Sequence, residues 1–175
     1  MSTNDTSTWY PNTTIYSRDA LWTQRYINIA KEIASWSKDP RTQVGAVIVG
    51  DKGQILSQGY NGFPRGIDDS DERLNDRPTK LKLVVHAEMN CIYNASFSGV
   101  SLQNSTLYVY GLPVCSECAK GVIQVGVKKV YMCHPVDIDD RWRESAKETF
   151  EMFKEAGVEY LVIPRDSRIS TESHH

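Results

Sequence analysis

The sequence predicts an α/β fold, a three-layer α-β-α sandwich around a central five-stranded mixed sheet. Two observations carry this prediction. Two short apolar segments flank the turn Asp51-Lys52-Gly53, which indicates an opening β-hairpin. After the hairpin, segments with helical periodicity alternate with short apolar segments in the order β-α-β-α-β. Helices that connect strands in this way cover both faces of a sheet.

Each element is predicted from its own pattern of residues. Apolar residues at helical spacing predict the first helix, and Pro40 cannot continue it. Gly157 is a good C-terminal cap for the last helix, and Pro164 ends the last strand. The predicted elements are a helix over 19–38, strands over 44–49 and 55–60, a helix over 81–97, a strand over 106–110, a helix over 115–125, a strand over 127–133, a helix over 142–156 and a strand over 158–163.

We expect a single domain over residues 17–164, preceded by a loose arm over 1–16 and followed by a disordered tail over 165–175. Between the second strand and the second helix, residues 61–80 are rich in Gly, Pro, Asp and Arg and have no periodicity. A loop of this length is unusual inside a compact domain, and such loops are usually functional. We therefore expect residues 61–80 to be a functional loop.

The composition is that of an ordinary globular protein. Of the 175 residues, 40% are hydrophobic and 24% are charged, and the formal net charge is −2. These values argue against a membrane protein and against a nucleic acid polymer as partner. The polar segment 1–8 has no signal-peptide core, so we expect a cytoplasmic protein. In a reducing compartment its four cysteines are expected to bind metal or to be buried thiols, rather than to form disulfides.

Two short motifs carry the chemistry. His86-Ala87-Glu88 is followed later by Pro113-Val114-Cys115-Ser116-Glu117-Cys118. One histidine and two cysteines are ligands that zinc prefers, and three protein ligands leave a fourth position for water. The metal lowers the pKa of that water, and the Glu88 carboxylate can take its proton. This pattern is the signature of zinc-dependent nucleobase deaminases, apart from Val114 between the proline and the first cysteine. We predict the zinc ligands His86, Cys115 and Cys118, with Glu88 as the catalytic residue.

Other interpretations of the same residues are open. Cys115 and Cys118 could form a redox pair, although such a pair usually follows the first strand of its sheet. A closed structural zinc site would need a fourth ligand, for which the candidates are Cys91, Cys133 and His134. The catalytic interpretation is favoured because both motifs fall at strand-to-helix junctions, where open α/β sheets place ligand sites. Helix N-termini also favour thiolates and developing negative charge.

Further stretches carry a resemblance to a family. They are 37–46 (SKDPRTQVGA), 59–66 (GYNGFPRG), 115–120 (CSECAK) and 156–158 (AGV), together with the His-Ala-Glu triplet. From about Trp36 to Pro164 the chain resembles the deoxycytidylate (dCMP) deaminases of the cytidine deaminase superfamily. The resemblance implies a cytidine deaminase-like fold and the zinc-dependent hydrolysis of dCMP to dUMP and ammonia, which supplies dUMP for thymidylate synthesis.

The resemblance also implies roles for residues that would bind the substrate. The backbone N–H of Ala87 would meet the pyrimidine carbonyl, and Asn61 would contact the sugar. Lys38 and Arg41 are candidates for the phosphate, although an exposed charge more often has no such role. Trp142 or Tyr110 could stack on the base or pack in the core.

Regulation and assembly are implied in the same way. In the resembling family, dCTP with a divalent cation such as Mg²⁺ activates and dTTP inhibits, at a site that matches Tyr60, Gly62, Phe63, Arg65 and Gly66. The glycines allow backbone N–H groups to approach phosphates, Arg65 supplies charge, and Phe63 can stack on a base. An ordinary surface loop is the alternative. The resemblance further implies a homo-oligomer, a hexamer.

Three rival functions follow from the same motifs. The first is another small-molecule deaminase, acting on free cytidine or guanine with the same zinc and Glu88. The second is a tRNA or polynucleotide deaminase, which the negative net charge and the lack of Lys/Arg clusters argue against. The third is a non-catalytic module with a structural zinc, which would leave Glu88 without a role.

Overall fold

The computed structural model describes residues 17–135 and 137–165. They form a five-stranded sheet with the strand order β2-β1-β3-β4-β5. In chain order the elements are α1 (Ser17–Ala34), β1 (Gly45–Val49), β2 (Ile55–Tyr60), α2 (Asp71–Asn75), α3 (Arg77–Leu83), α4 (Ala87–Phe97), β3 (Thr106–Tyr110), α5 (Ser116–Gln124), β4 (Lys129–His134), α6 (Asp140–Ala156) and β5 (Glu159–Pro164). The predicted arm, and the predicted tail from 166 onward, lie outside the described residues.

The sheet is mixed, as predicted. Strand β1 pairs antiparallel with β2 and with β3, whereas β3, β4 and β5 run parallel. The antiparallel pair β1–β2 is the predicted opening hairpin. The parallel strands are connected through α5 and α6, because a parallel connection needs a crossover and a helix supplies it. The carboxyl ends of β3 and β4 therefore lie at the same edge of the sheet.

Helices cover both faces of the sheet, which confirms the three-layer architecture. Alternate residues of a strand point to opposite faces. In β1, Ala46 and Ile48 pack with residues of α4, α5 and α6, whereas Val47 and Val49 pack with residues of α1. On the α1 face, the rings of Tyr108 and Tyr131 stack with their centroids 5.0 Å apart.

Residues 61–80 differ from the predicted loop. They contain α2 and the first residues of α3. The helix predicted over 81–97 is interrupted, because residues 81–83 are the end of α3 and α4 begins at Ala87. Helix α3 has no buried residue, so it has no apolar periodicity by which the sequence could reveal it. Its start is marked instead by a local signal, because the Asp76 side chain accepts a hydrogen bond from the Thr79 N–H. Val85 then pairs with Gly62 in an isolated bridge and separates α3 from α4.

Helix α1 ends at Ala34, four residues before the predicted end at Lys38.

Within residues 17–135 and 137–165, no helix is sufficiently long and apolar to cross a membrane.

Candidate active site

The predicted zinc ligands lie at the N-termini of two neighbouring helices. His86 is the N-cap residue of α4, and Cys115 is the N-cap residue of α5. The Cys115 sulfur accepts a hydrogen bond from the Cys118 N–H over 3.4 Å, and this contact holds both cysteines on the first turn of α5. Free N–H groups at a helix N-terminus favour negative charge, which suits thiolate ligands.

The three ligand atoms converge. His86 Nδ1 lies 3.4 Å from the sulfur of Cys115 and 3.4 Å from that of Cys118, and all ligand atoms lie within 4.8 Å of one another. A tetrahedral zinc with Zn–S bonds of about 2.3 Å and Zn–N bonds of about 2.0 Å places neighbouring sulfur and nitrogen atoms about 3.5 Å apart. The residues therefore fit zinc with one coordination position left for another ligand.

The two cysteines of the motif share one proton. Hydrogen bonds from Cys118 and His86 lower the pKa of Cys115 to about 4, whereas the contact with Cys115 and burial raise the pKa of Cys118. A thiol must lose its proton to bind a metal, so Cys115 is ready to bind at neutral pH and a metal must displace the proton of Cys118. The other two cysteines, Cys91 and Cys133, are buried thiols.

Glu88 lies in the first turn of α4, with its side chain lining the cleft beside His86. Only 3% of the residue is exposed to solvent. Burial raises the pKa of the carboxyl group to about 7, because desolvation penalises its charged form. A group with such a pKa can both accept and donate a proton near neutral pH, which is what general acid–base catalysis requires.

Gly59 of β2, to which the sequence patterns assigned no role, sets the position of α4. A Cβ on Gly59 in β2 would lie 2.4 Å from the Cys91 nitrogen and 2.7 Å from the Ala87 carbonyl oxygen. The helix backbone therefore approaches the strand closely at its first turns. Asn90 Nδ2 reinforces this contact by donating a hydrogen bond to the Tyr60 carbonyl over 2.8 Å. This packing fixes the turn that carries Ala87 and Glu88.

The site opens into a cleft of about 430 Å³. This volume lies in the range of about 300–1,000 Å³ that is typical of small-molecule sites. The residues lining the cleft include the predicted Arg41, Asn61, His86, Ala87, Glu88, Cys115 and Trp142. Tyr110 does not line it, and the Tyr110 hydroxyl accepts a hydrogen bond from Arg165 Nε instead. Of the two predicted aromatic candidates, only Trp142 faces the cleft.

Asn61 is buried at the cleft wall. Its side-chain oxygen accepts a hydrogen bond from the Val44 N–H over 2.9 Å, and its Nδ2 donates to the Thr42 carbonyl over 2.9 Å. These bonds fix the orientation of the amide. Because an amide carries two N–H donors and two acceptor lone pairs, one of each remains for a ligand.

The two predicted phosphate ligands lie in different places. Arg41 lines the cleft, whereas Lys38 forms an ion pair with Asp69 over 3.0 Å and lines a smaller neighbouring pocket. Arg77 of α3 and Arg141 of α6 also line the cleft. No pattern in the sequence pointed to these two arginines, because they belong to no motif and lie far apart along the chain.

A largely buried ion pair stands beside Arg41. Lys80 Nζ lies 3.2 Å from a carboxylate oxygen of Asp39, and the two side chains are 13% and 8% exposed. The Asp39 carboxylate also accepts hydrogen bonds from the N–H groups of Arg41 and Thr42, over 2.9 and 3.0 Å. Burial opposes its charge, but these N–H groups and Lys80 outweigh burial and lower the pKa of Asp39.

The residues predicted for an effector site are only partly brought together. Tyr60, Gly62 and Phe63 line the small pocket, which has a volume of about 80 Å³. Arg65 turns away towards α4, where it donates a hydrogen bond to Asn94 and lies over the ring of Phe97 at 5.2 Å. Gly66 has a φ of +81° with open space around it.

Comparison with known proteins gives matches over most of the chain. The family model described as "Cytidine and deoxycytidylate deaminase zinc-binding region" matches residues 20–134. A deaminase of the luxG 3′ region in Aliivibrio fischeri is 39% identical over 146 residues, which are 83% of this chain and 95% of that protein. The deoxycytidylate deaminase of Homo sapiens is 37% identical over 158 residues, which are 85% of this chain and 83% of that protein.

A solved structure is also similar. The dCMP deaminase from the cyanophage S-TIM5, in complex with dCMP and dUMP, has a TM-score of 0.62 and 28% sequence identity with this chain. The match covers 80% of this chain and 95% of the phage protein.

Proposed function

This chain belongs to the cytidine and deoxycytidylate deaminase family, and we propose that it hydrolyses dCMP to dUMP and ammonia. The observation that carries the proposal is the buried Glu88 carboxyl group beside the convergent His86, Cys115 and Cys118, at a cleft lined by three arginines. Zinc held by these three ligands would supply a water of lowered pKa as nucleophile. The product dUMP would then serve thymidylate synthesis.

Glu88 moves the protons of the reaction. Water adds to C4 of the cytosine ring, and the bond between C4 and the exocyclic nitrogen breaks. Glu88 takes one proton from the water and delivers it to N3. It then carries the second proton, from the new C4 hydroxyl, to the amino group, which leaves as ammonia. A pKa of about 7 supports both directions of transfer, because neither protonation state is strongly disfavoured near neutral pH.

Three groups orient the base and the sugar. The backbone N–H of Ala87 opens α4, where the first N–H groups have no partner within the helix, and it donates to the pyrimidine carbonyl. Asn61 contacts the sugar hydroxyl through the donor and acceptor capacity that its two backbone bonds leave. Trp142, which also lines the cleft, stacks on the base.

The phosphate binds to the guanidinium groups at the cleft. Arg41, Arg77 and Arg141 supply them, and a guanidinium matches the geometry of phosphate better than a point charge does. Lys38 is assigned to the neighbouring pocket instead, because it lines that pocket and not the cleft. Arg141 pairs with Asp139 over 3.4 Å but still lines the cleft. Free cytidine and guanine have no group that could use these cations. The arginines therefore favour a nucleotide over either rival small molecule.

The substrate is tested by ammonia release from dCMP, deoxycytidine, cytidine, guanine and a cytosine-containing oligonucleotide, each under the same conditions. We expect turnover of dCMP with a kcat/KM far above that of the other compounds. Equal turnover of cytidine or deoxycytidine would overturn the choice of a nucleotide. Turnover of the oligonucleotide above that of dCMP would favour a polynucleotide deaminase.

The role of Glu88 is tested by Glu88→Gln in zinc-loaded protein. We expect kcat for dCMP to fall by about 10²–10⁴-fold while the zinc content stays unchanged. Glu117→Gln is the matched control, because Glu117 lies in the cysteine motif but its side chain is 81% exposed and pairs with Lys120. A loss of less than tenfold in Glu88→Gln, or an equal loss in Glu117→Gln, would contradict the assignment.

Effector binding and assembly are part of the same proposal. dCTP with Mg²⁺ activates and dTTP inhibits, at a site built on Tyr60, Gly62 and Phe63. The pocket that these residues line holds about 80 Å³, less than a nucleotide needs, and we propose that a second subunit completes the site. A homo-oligomer is supported by the exposed rings of Tyr93 and Phe97, which are four residues apart on one face of α4. The hexamer itself is what the family resemblance implies.

Light scattering and kinetics test this part of the proposal. We expect a hexamer in solution, a rise in dCMP turnover when dCTP and Mg²⁺ are added, and a fall when dTTP is added. A monomer would overturn the assembly. Turnover unaffected by either triphosphate would overturn the regulation and leave the reaction itself intact.

A further inference from the structure

We propose that Thr149 and Ser145 of α6 are positioning residues that hold the zinc ligand Cys115 in place. Thr149 Oγ1 donates a hydrogen bond to the Val114 carbonyl over 2.8 Å. Ser145 Oγ accepts a hydrogen bond from the Ser116 N–H over 2.9 Å. The two bonds attach α6 to the residues immediately before and after Cys115. They therefore fix the backbone on both sides of the ligand and, with it, the direction of its side chain.

Each contact satisfies a backbone polar group that would destabilise the folded protein if it had no hydrogen bond. Thr149 and Val114 are each 0% exposed, so loss of the Thr149 hydroxyl would remove a donor from a fully buried carbonyl. The Ser116 N–H belongs to the first residue of α5, and such a group has no acceptor within its own helix. Ser145 supplies that acceptor. The two hydroxyls therefore bind the Val114 carbonyl and the Ser116 N–H, two backbone groups beside Cys115 for which α5 supplies no partner.

Helix α6, which supplies both hydroxyls, is capped at both ends and packed against the core. Its Asp139 N-cap accepts a hydrogen bond from the Arg141 N–H, and Gly157 closes it in the left-handed conformation. Ser145 and Thr149 are four residues apart and so lie on the same face of the helix. On this side of α6, Phe153 is fully buried in the core shared with α5. The hydroxyls are therefore presented from a packed helix rather than from a loop.

This chain differs from the signature motif at Val114, and the difference gives the Thr149 contact a specific role. In the signature motif a proline stands directly before the first cysteine. Proline fixes its own φ near −65°, whereas valine leaves φ free to vary. Here the hydrogen bond from Thr149 holds the Val114 carbonyl and so restricts ψ of Val114 and the peptide plane that leads into Cys115. It therefore limits the same backbone turn through a different dihedral angle from the one that a proline ring would fix. The inference rests on the zinc site of the proposed function but not on its substrate.

Zinc affinity, measured by competition with a chromogenic chelator, tests the proposal. Thr149→Val removes the hydroxyl and keeps the branched shape, and we expect it to lower zinc affinity by about 10–100-fold. Thr149→Ser keeps the hydroxyl and should stay close to the parent protein. The matched control is Thr23→Val. Thr23 is 2% exposed on α1, which packs on the opposite sheet face, and its replacement should leave zinc affinity unchanged.

Three outcomes would overturn the proposal. They are a zinc affinity of Thr149→Val within twofold of the parent, an equal loss in Thr23→Val, and an equal loss in Thr149→Ser. If Thr149→Val does not fold, Ser145→Ala decides in the same assay. A loss of about threefold or more supports the proposal, because it corresponds to one hydrogen bond; an unchanged affinity overturns it. The assay uses zinc and no nucleotide, so a wrong substrate assignment would not affect it.

Discussion

The ion pair between Lys80 and Asp39 should contribute strongly to stability, and Lys80→Met tests this. The change removes the ammonium group and keeps the apolar stem. Removing one partner of a fully buried pair typically costs 3–5 kcal/mol, because the other charge is left buried and unpaired. This pair lies at the wall of the cleft, and Asp39 would keep its bonds to the N–H groups of Arg41 and Thr42, so we expect a smaller loss of about 2 kcal/mol. For a chain of this size that corresponds to a melting temperature about 4–8 °C lower.

Urea unfolding of the zinc-loaded protein measures this loss, with Lys38→Met as the matched control. Lys38 forms the same type of pair with Asp69, but there the side chains are 67% and 43% exposed. An exposed pair contributes about 0–1 kcal/mol, so this control should lose little stability. The double variant Asp39→Asn/Lys80→Met should lose less than the sum of the single variants. A loss below about 1 kcal/mol in Lys80→Met, or a loss equal to that of Lys38→Met, would refute the reasoning.

Three further predictions follow. Because the pKa of Asp39 is lowered in the folded protein, its contribution is complete above the ordinary value of 3.8 and is lost as the pH falls through the lower folded value. Asp39→Asn should therefore lose less stability than the parent between about pH 5 and pH 2, measured by urea unfolding. Gly59→Ala should lower the free energy of unfolding by about 1–3 kcal/mol, because its Cβ would meet the α4 backbone. Gly62→Ala is its control, since only the Tyr60 ring lies near that Cβ, at 3.9 Å; equal losses would contradict the steric argument. Removal of zinc with a chelator should lower the melting temperature and abolish ammonia release from dCMP, and added Zn²⁺ should restore both; full activity after complete removal would contradict the zinc mechanism.

The parts of the fold that were predicted correctly are those with a buried face. Strand β1 is buried along its whole length, and the long helix α6 has one packed side, so both leave a clear apolar pattern in the sequence. Helix α2 and the start of α3 were missed because only Leu74 among the residues of these two helices is buried. Their boundaries depend on a cap and on the Val85–Gly62 bridge, which are contacts rather than periodic patterns.

The candidate site was likewise predictable only in part. His86, Glu88, Cys115 and Cys118, which meet at the cleft, form two short motifs with fixed spacings, and such motifs can be recognised in a sequence. The cations of the cleft have no such requirement. Arg77 and Arg141 reach it from helices that are far apart in the chain, whereas Lys38, which lies within the stretch 37–46, pairs with Asp69.

The origin of the ligands in two helices has a consequence for how the metal binds. Cys115 is 29 residues beyond His86 in the chain, and β3, in the middle of the sheet, lies between them. Zinc thus acts as a cross-link across a long segment that folding has already brought together, so binding does not bear the entropy of closing that loop. The start of α4 is held against β2 at Gly59, and the turn before α5 is held by α6. The turns that carry the ligands are thus held in place by contacts that do not involve the metal, so the site needs no large rearrangement of the sheet and its helices to receive zinc.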